Sequence, residues 1–190
     1  GLTAYYSDDQ IIYFDLADGN IAQAKLRLRN FRNYDEPHGR FLAGHAMGEF
    51  SRGGDAESAS ALGRQIGLDV GNYATSRVTA ELGLAMLFTR LGLALDEQRQ
   101  PQKGLLFARI ATWLAPSSDA AKLGLAELMD RQDLDAKASA LLKGIAPNSP
   151  FWVQAVVNQT QLVATPEESV AIARAASEAQ PASSQLKLLY

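Results

Sequence analysis

The sequence predicts an all-α chain built from stacked helix–turn–helix units, the arrangement of an α-solenoid. Three observations carry this. A small residue recurs at Ala24, Ala59, Gly104 and Ala138, with Val170 in the fifth place, at spacings of 35, 45, 34 and 32. Each follows a turn-prone stretch: Asp18-Gly19-Asn20, Gly53-Gly54-Asp55, Gln98-Arg99-Gln100-Pro101, Arg131-Gln132-Asp133 and Ala164-Thr165-Pro166. The apolar 47% of the chain is dominated by Ala and Leu, with Val and Ile comparatively few, which favours helix over sheet. A period near 34 residues with a break in mid-unit gives hairpins that bury their apolar faces only against neighbouring units.

In unit one Asp8 and Asp9 are helix-start candidates, since acidic residues favour a helix N-terminus. Ile11, Ile12, Phe14 and Leu16 follow, Gly19-Asn20 turns the chain, and a return helix from Ile21 to Phe31 carries Ala24 and Leu28 at helical spacing. Residues 30–39 are polar, contain Pro37, and read as a connection. Unit two runs through Phe41, Ala43, Ala46, Met47 and Phe50 to Gly53-Gly54 and returns over Ala56–Ile66. The spacing of 45 into unit three reads as a first helix lengthened by two or three turns, following a loop from Gly67 to Asn72. Pro101 opens the next helix as a first-turn proline.

Unit four has a Ser118 or Asp119 cap, a turn at Asp133-Leu134-Asp135, and a return through Ala138, Leu141, Leu142 and Ile145 to Pro147. Unit five starts at Ser149-Pro150, turns at Thr165-Pro166-Glu167-Glu168 with capping-box spacing, and ends at Pro181. The expected domain is a single one over residues 1–190. Its units lie near 5–36, 37–70, 71–116, 117–147 and 148–181, with the start of a further helix at 182–190.

The net charge of −3, of mixed signs, gives no electrostatic case for nucleic acid or an anionic membrane. Without cysteine there is no disulfide, thiol nucleophile or thiolate metal site, which leaves the compartment, bacterial periplasm or cytoplasm, undecided. No apolar run approaches the ~20 residues of a membrane span, so a soluble chain is expected. Gly1-Leu2-Thr3 has neither a basic start nor an apolar stretch, and the apolar end at Tyr190 has no helix stop behind it. Both ends read as those of a piece of a longer, processed or trimmed protein.

Little points to chemistry, and the expectation is a chain that is not an enzyme and has no cofactor or metal. His38 falls in a loop beside Pro37, His45 in a helix one turn before Glu49, and both are expected at the surface or as caps. Ser184-Gln-Leu-Lys187 has the spacing of an acyl-enzyme nucleophile without that chemistry's partner motifs. Lys25, Arg29 and Arg32 form one stripe, expected to be a solvated outer face. Trp113 and Trp152 are expected to pack in the core or between units.

Laid out as units, the chain resembles the tetratricopeptide repeat family. Phe88, Leu91, Gly92 and Leu95 match the first-helix signature, with Gly104, Ala111 and Pro116 following in the second helix. Gly19, Ile21 and Ala24 match in unit one, Phe50, Gly54 and Ala59 in unit two, and Ala126, Ala138 and Pro147 in unit four. Asp133 stands where the family prefers glycine, and Asn158 and Val170 depart from the pattern in unit five. Residues 125–150 look like the degenerate repeats of bacterial, especially proteobacterial, members.

The resemblance implies a right-handed superhelix whose first helices line a concave groove for a protein or peptide partner, self-association included. Carried over unit by unit, it nominates Phe41, Ser51 and Arg52 in unit two, and Met86, Thr89, Leu93, Asp96 and Glu97 in unit three. Units four and five add Leu123, Glu127, Asp130, Arg131, Trp152, Gln159 and Leu162. The alternative is the helical scaffold of a larger cell-wall lytic or glycosyl-transfer enzyme whose catalytic domain lies outside this chain.

Overall fold

The computed structural model describes residues 2–32, 34, 37–67, 77–149, 151–181 and 186, and among these it is all-helical, with ten helices and no strand. They are α1 (Leu2–Ala17), α2 (Ile21–Asn30), α3 (Pro37–Arg52), α4 (Ala56–Ile66), α5 (Ala80–Glu97), α6 (Pro101–Leu114), α7 (Asp119–Asp130), α8 (Asp135–Lys143), α9 (Trp152–Leu162) and α10 (Pro166–Ala179). The chain forms two compact units, Gly1–Arg90 and Leu91–Tyr190, with the boundary inside α5.

The hairpin turn is where the repeat is most exact in atomic terms. Gly19, Gly54, Arg99 and Asp133 have φ of 75°, 82°, 60° and 56°. In each case the next amide reaches back five residues to a helix carbonyl: Asn20 to Asp15, Asp55 to Phe50, Gln100 to Leu95 and Leu134 to Met129, at 2.7–2.9 Å. The left-handed residue's own amide bonds the carbonyl three residues back, completing a Schellman ending. Gly19 and Gly54 take this conformation without a Cβ penalty, whereas Arg99 and Asp133 adopt it against one. Five residues beyond each turn stands Ala24, Ala59, Gly104 or Ala138, all buried.

The fifth hairpin is built differently. Its α9 ends at Leu162 with Val163 extended, and Thr165 caps α10 by accepting the Glu168 amide at 3.2 Å. Val170 is exposed, and the first of the buried small residues of α10 is Ala173, one turn further on. The last spacing is therefore 35 rather than 32, from Ala138 to Ala173.

Other expectations are corrected as well. At 18 residues α5 is only two longer than α1 and α3, so helix lengthening does not account for the spacing of 45. The extra residues lie between Ile66 and Ala80, of which 68–76 fall outside the described residues. Asp8 and Asp9 lie inside α1 rather than at its start, and Asp9 is buried. His38 is the second residue of α3, not a loop residue. Ser118 and Asp55 cap α7 and α4, whereas α9 starts at Trp152 with Ser149 Oγ accepting the Phe151 amide at 3.3 Å. The Ser184–Lys187 motif lies outside the described residues.

In the first unit α1 packs on α2 and α3, and α3 on α2 and α4. Ile12, Leu42 and Met47 are its largest fully buried apolar side chains. In the second, α7 packs on α6, α8 and α9, while α9 also packs on α8 and α10, around Leu128, Leu142 and Leu186. Each such side chain contributes about 1.5–3 kcal/mol by leaving water. Within each unit, then, hairpins meet through first helices (α1 on α3, α7 on α9) and through a second helix against the next first helix (α2 on α3, α6 on α7, α8 on α9).

Candidate functional site

Hairpin turns place the C-terminal ends of α5 and α7 side by side in the second unit, where Arg131 joins them. Its Nη1 donates to Asp96 Oδ2 at 3.0 Å and its Nη2 to Glu127 Oε1 at 2.5 Å. Glu97 and Asp130 are exposed at the same helix ends. Two carboxylates, Asp96 and Glu127, thus pair with Arg131, and with Glu97 and Asp130 exposed at the same helix ends against Arg99 at the α5 turn, this edge is acidic on balance. Trp152 and Gln159 are half-buried on α9, the next first helix, where Trp152 packs against Val156, Ala176 and Leu186. Of the residues expected to face a partner, Asp96, Glu127 and Arg131 are the ones that ion pairs bring together.

Elsewhere the nominations divide. Arg52, exposed at the end of α3, pairs with Glu49 at 3.2 Å, and Phe41 is half-buried at the start of that helix. Met86 and Thr89 are buried, and the Thr89 hydroxyl donates to the Ala85 carbonyl at 2.9 Å. Leu123 is buried too. These three side chains serve the core and offer no surface to a partner.

The basic stripe, of which Lys25 and Arg29 lie on α2 and Arg32 just past its end, is only partly solvated. Arg29 and Arg32 are exposed, but Lys25 is half-buried, pairs with Asp55 at the start of α4, and lies 5.1 Å from the Phe50 ring centroid. The Lys25 ammonium, followed by the Ser58 amide, holds the Asp55 carboxyl down to about 2.

A second polar group in the first unit had no counterpart in the sequence reading. Asp9 on α1 is buried against Arg90 on α5, and His38 Nε2 of α3 lies 3.6 Å from the same carboxylate oxygen. One turn along α1, the Tyr13 hydroxyl meets His45 Nδ1 at 3.2 Å, both side chains buried. Burial, with the Asp9 charge second, pushes the Tyr13 phenol above its ordinary range. His45, expected at the surface, is 3% exposed, and its ring is also bonded to the Phe41 backbone. Residues 9 and 90 are 81 apart, so no local motif could have announced the pair. The arrangement is an ion pair stitching α1, α3 and α5, with a neutral imidazole–phenol bond beside it. Among the described residues no three His, Asp or Glu side chains converge as metal ligands.

Burial holds His45 down to about 4, below the ordinary 6.5. Between those values the unfolded chain binds a proton that the folded chain does not. Stability contributed by neutral His45 is therefore complete above pH 6.5 and is lost as the pH falls towards 4, by about 3 kcal/mol in all. Urea midpoints at neutral and mildly acid pH should show this loss, and His45→Gln should flatten it. A wild-type midpoint that stays constant across the window would contradict the assignment.

No family model, curated protein or solved structure matches the chain. No described helix is long and apolar enough to cross a membrane.

Proposed function

We propose that the chain is a non-enzymatic scaffold: a right-handed α-solenoid of tetratricopeptide-like repeats that binds a protein or peptide along its first helices. The observation that carries this reading is the repeated Schellman turn, used at four of the five hairpins with the same hydrogen bonds. Such a turn returns each second helix on its own first helix in the same way, the repetition that a stack of like hairpins needs. Arg131 fits the same reading, because it spans from α7 to α5 and presents its carboxylate partners at one edge. An acidic edge with Trp152 and Gln159 on the next first helix suits an extended or helical segment bearing Lys or Arg between apolar residues. In the first unit, taken by itself, Arg52 and Phe41 would be the partner-facing residues of the first helix α3.

The test is affinity capture from the native cell with residues 1–190 as bait, followed by calorimetric titration of the captured partner against variants. Arg131→Ala, Glu97→Ala and Arg52→Ala should each weaken binding, the strongest by about tenfold or more. Arg29→Ala combined with Arg32→Ala should not, since Arg29 is exposed on the second helix α2 and Arg32 is exposed just past its end. The reverse ranking would move the site to the second-helix surface and end the groove reading.

A further inference from the structure

We propose that the outward face of α6 is a second docking surface, for an acidic amphipathic helical segment of a partner protein. Trp113 was expected to pack in the core or between units, yet it is 79% exposed, and Leu106, seven residues earlier on the same helix, is 56% exposed. Seven residues are two turns, so the two side chains stand about 10 Å apart along one seam. Arg109 lies on that seam between them, exposed and with no salt bridge among the described residues. The helix carries Lys103 as well and no acidic residue along its whole length, in a chain whose net charge is −3.

The opposite side of α6 is committed: Gly104, Leu105, Ala108 and Ala111 are buried. The helix therefore cannot roll to hide the indole, and the exposed seam is fixed in place. Trp and Arg are the residue types that most often dominate binding when desolvated together. A guanidinium set between two apolar anchors matches a carboxylate held bidentately, with apolar side chains one turn to either side of it. That is the pattern of an amphipathic helix with Asp or Glu beside its apolar stripe. A membrane surface fits less well, because anionic lipid recognition draws on clusters of about 4–8 cations, and α6 has two. The same two cations are a poor footprint for a nucleic-acid backbone.

The whole chain with Trp152→Phe leaves Trp113 as the one indole, since the sequence holds two tryptophans. The probes are a pair of designed helical peptides identical in apolar residues, one with Glu and one with Lys at its polar positions. Expected are a saturable blue shift of Trp113 emission with the Glu peptide and about tenfold weaker binding of the Lys peptide. Arg109→Glu should invert that preference, and Arg109→Gln should abolish it with helicity unchanged. Trp113→Ala, followed through a labelled peptide, should weaken binding about tenfold or more. Arg131→Ala should leave peptide binding unchanged, which separates this surface from the first-helix groove. Equal affinity for the two peptides, or no shift with either, overturns the proposal. So does a blue shift that appears only with vesicles of phosphatidylcholine and phosphatidylserine, which would assign the face to lipid.

Discussion

Gly104→Ala is expected to destabilise the second unit by about 1–3 kcal/mol, although alanine is normally the better helix former. In an exposed helix the same change gains about 1 kcal/mol, because glycine loses more backbone freedom on folding. Here the added methyl has no room: a Cβ at Gly104 would lie 2.6 Å from the Gly92 carbonyl oxygen and 3.3 Å from the Asp96 amide nitrogen. A Cβ at Gly92 would meet the Gly104 carbonyl at 2.8 Å. The obstacles are backbone atoms, so no side-chain rotation relieves them, and α5 must draw away from α6. For a chain of 190 residues each kcal/mol shifts the melting temperature by roughly 2–4 °C, a drop that circular dichroism reads. The double variant with Gly92→Ala should cost less than the sum of the singles, since both methyls strain one contact. A melting temperature that rises in Gly104→Ala would show that the helices part without loss.

That contact also marks how far the sequence was legible. Gly104 and Ala138 were readable as buried small residues because a turn lies five residues before each, and turns write themselves in glycine, proline and short polar residues. In the fifth hairpin Val163 is extended instead of left-handed, α10 begins one turn earlier relative to its buried stripe, and counting from the turn lands on exposed Val170. The same logic explains the partner-facing residues. Asp96, Glu127 and Arg131 sit at helix ends, where register error is small, and the structure brings them together. Met86 and Thr89 sit in mid-helix, where one residue of error rotates a side chain by about 100° and exchanges surface for core. Trp113 illustrates a different limit: an indole suits a core, a repeat interface or an exposed seam equally well in composition. Only the burial of the rest of α6 decides its place.

The Asp9–Arg90 pair was the least legible feature, and removing half of it should have the largest effect. Arg90→Met is expected to cost about 3–5 kcal/mol, the usual loss when one member of a buried pair is deleted. The Asp9 carboxylate would remain in the core with its guanidinium gone and His38 Nε2 3.6 Å away. Its proton affinity must then rise, because burial disfavours the charged form once the cation is absent. A carboxyl whose folded pKa lies above its unfolded value binds a proton in the folded chain first. Its stabilising contribution is greatest at low pH and is lost as the pH rises through the raised value. The deficit of Arg90→Met relative to wild type should therefore be largest at neutral pH and shrink on acidification. Taking the difference between the proteins cancels the separate acid loss that both share through His45. Asp9→Leu combined with Arg90→Met should recover most of the stability, since well-packed apolar pairs often replace buried ion pairs without loss. A single Arg90→Met within about 1 kcal/mol of wild type at neutral pH, or a deficit that ignores pH, would mean the pair behaves as a solvated surface bridge despite its burial.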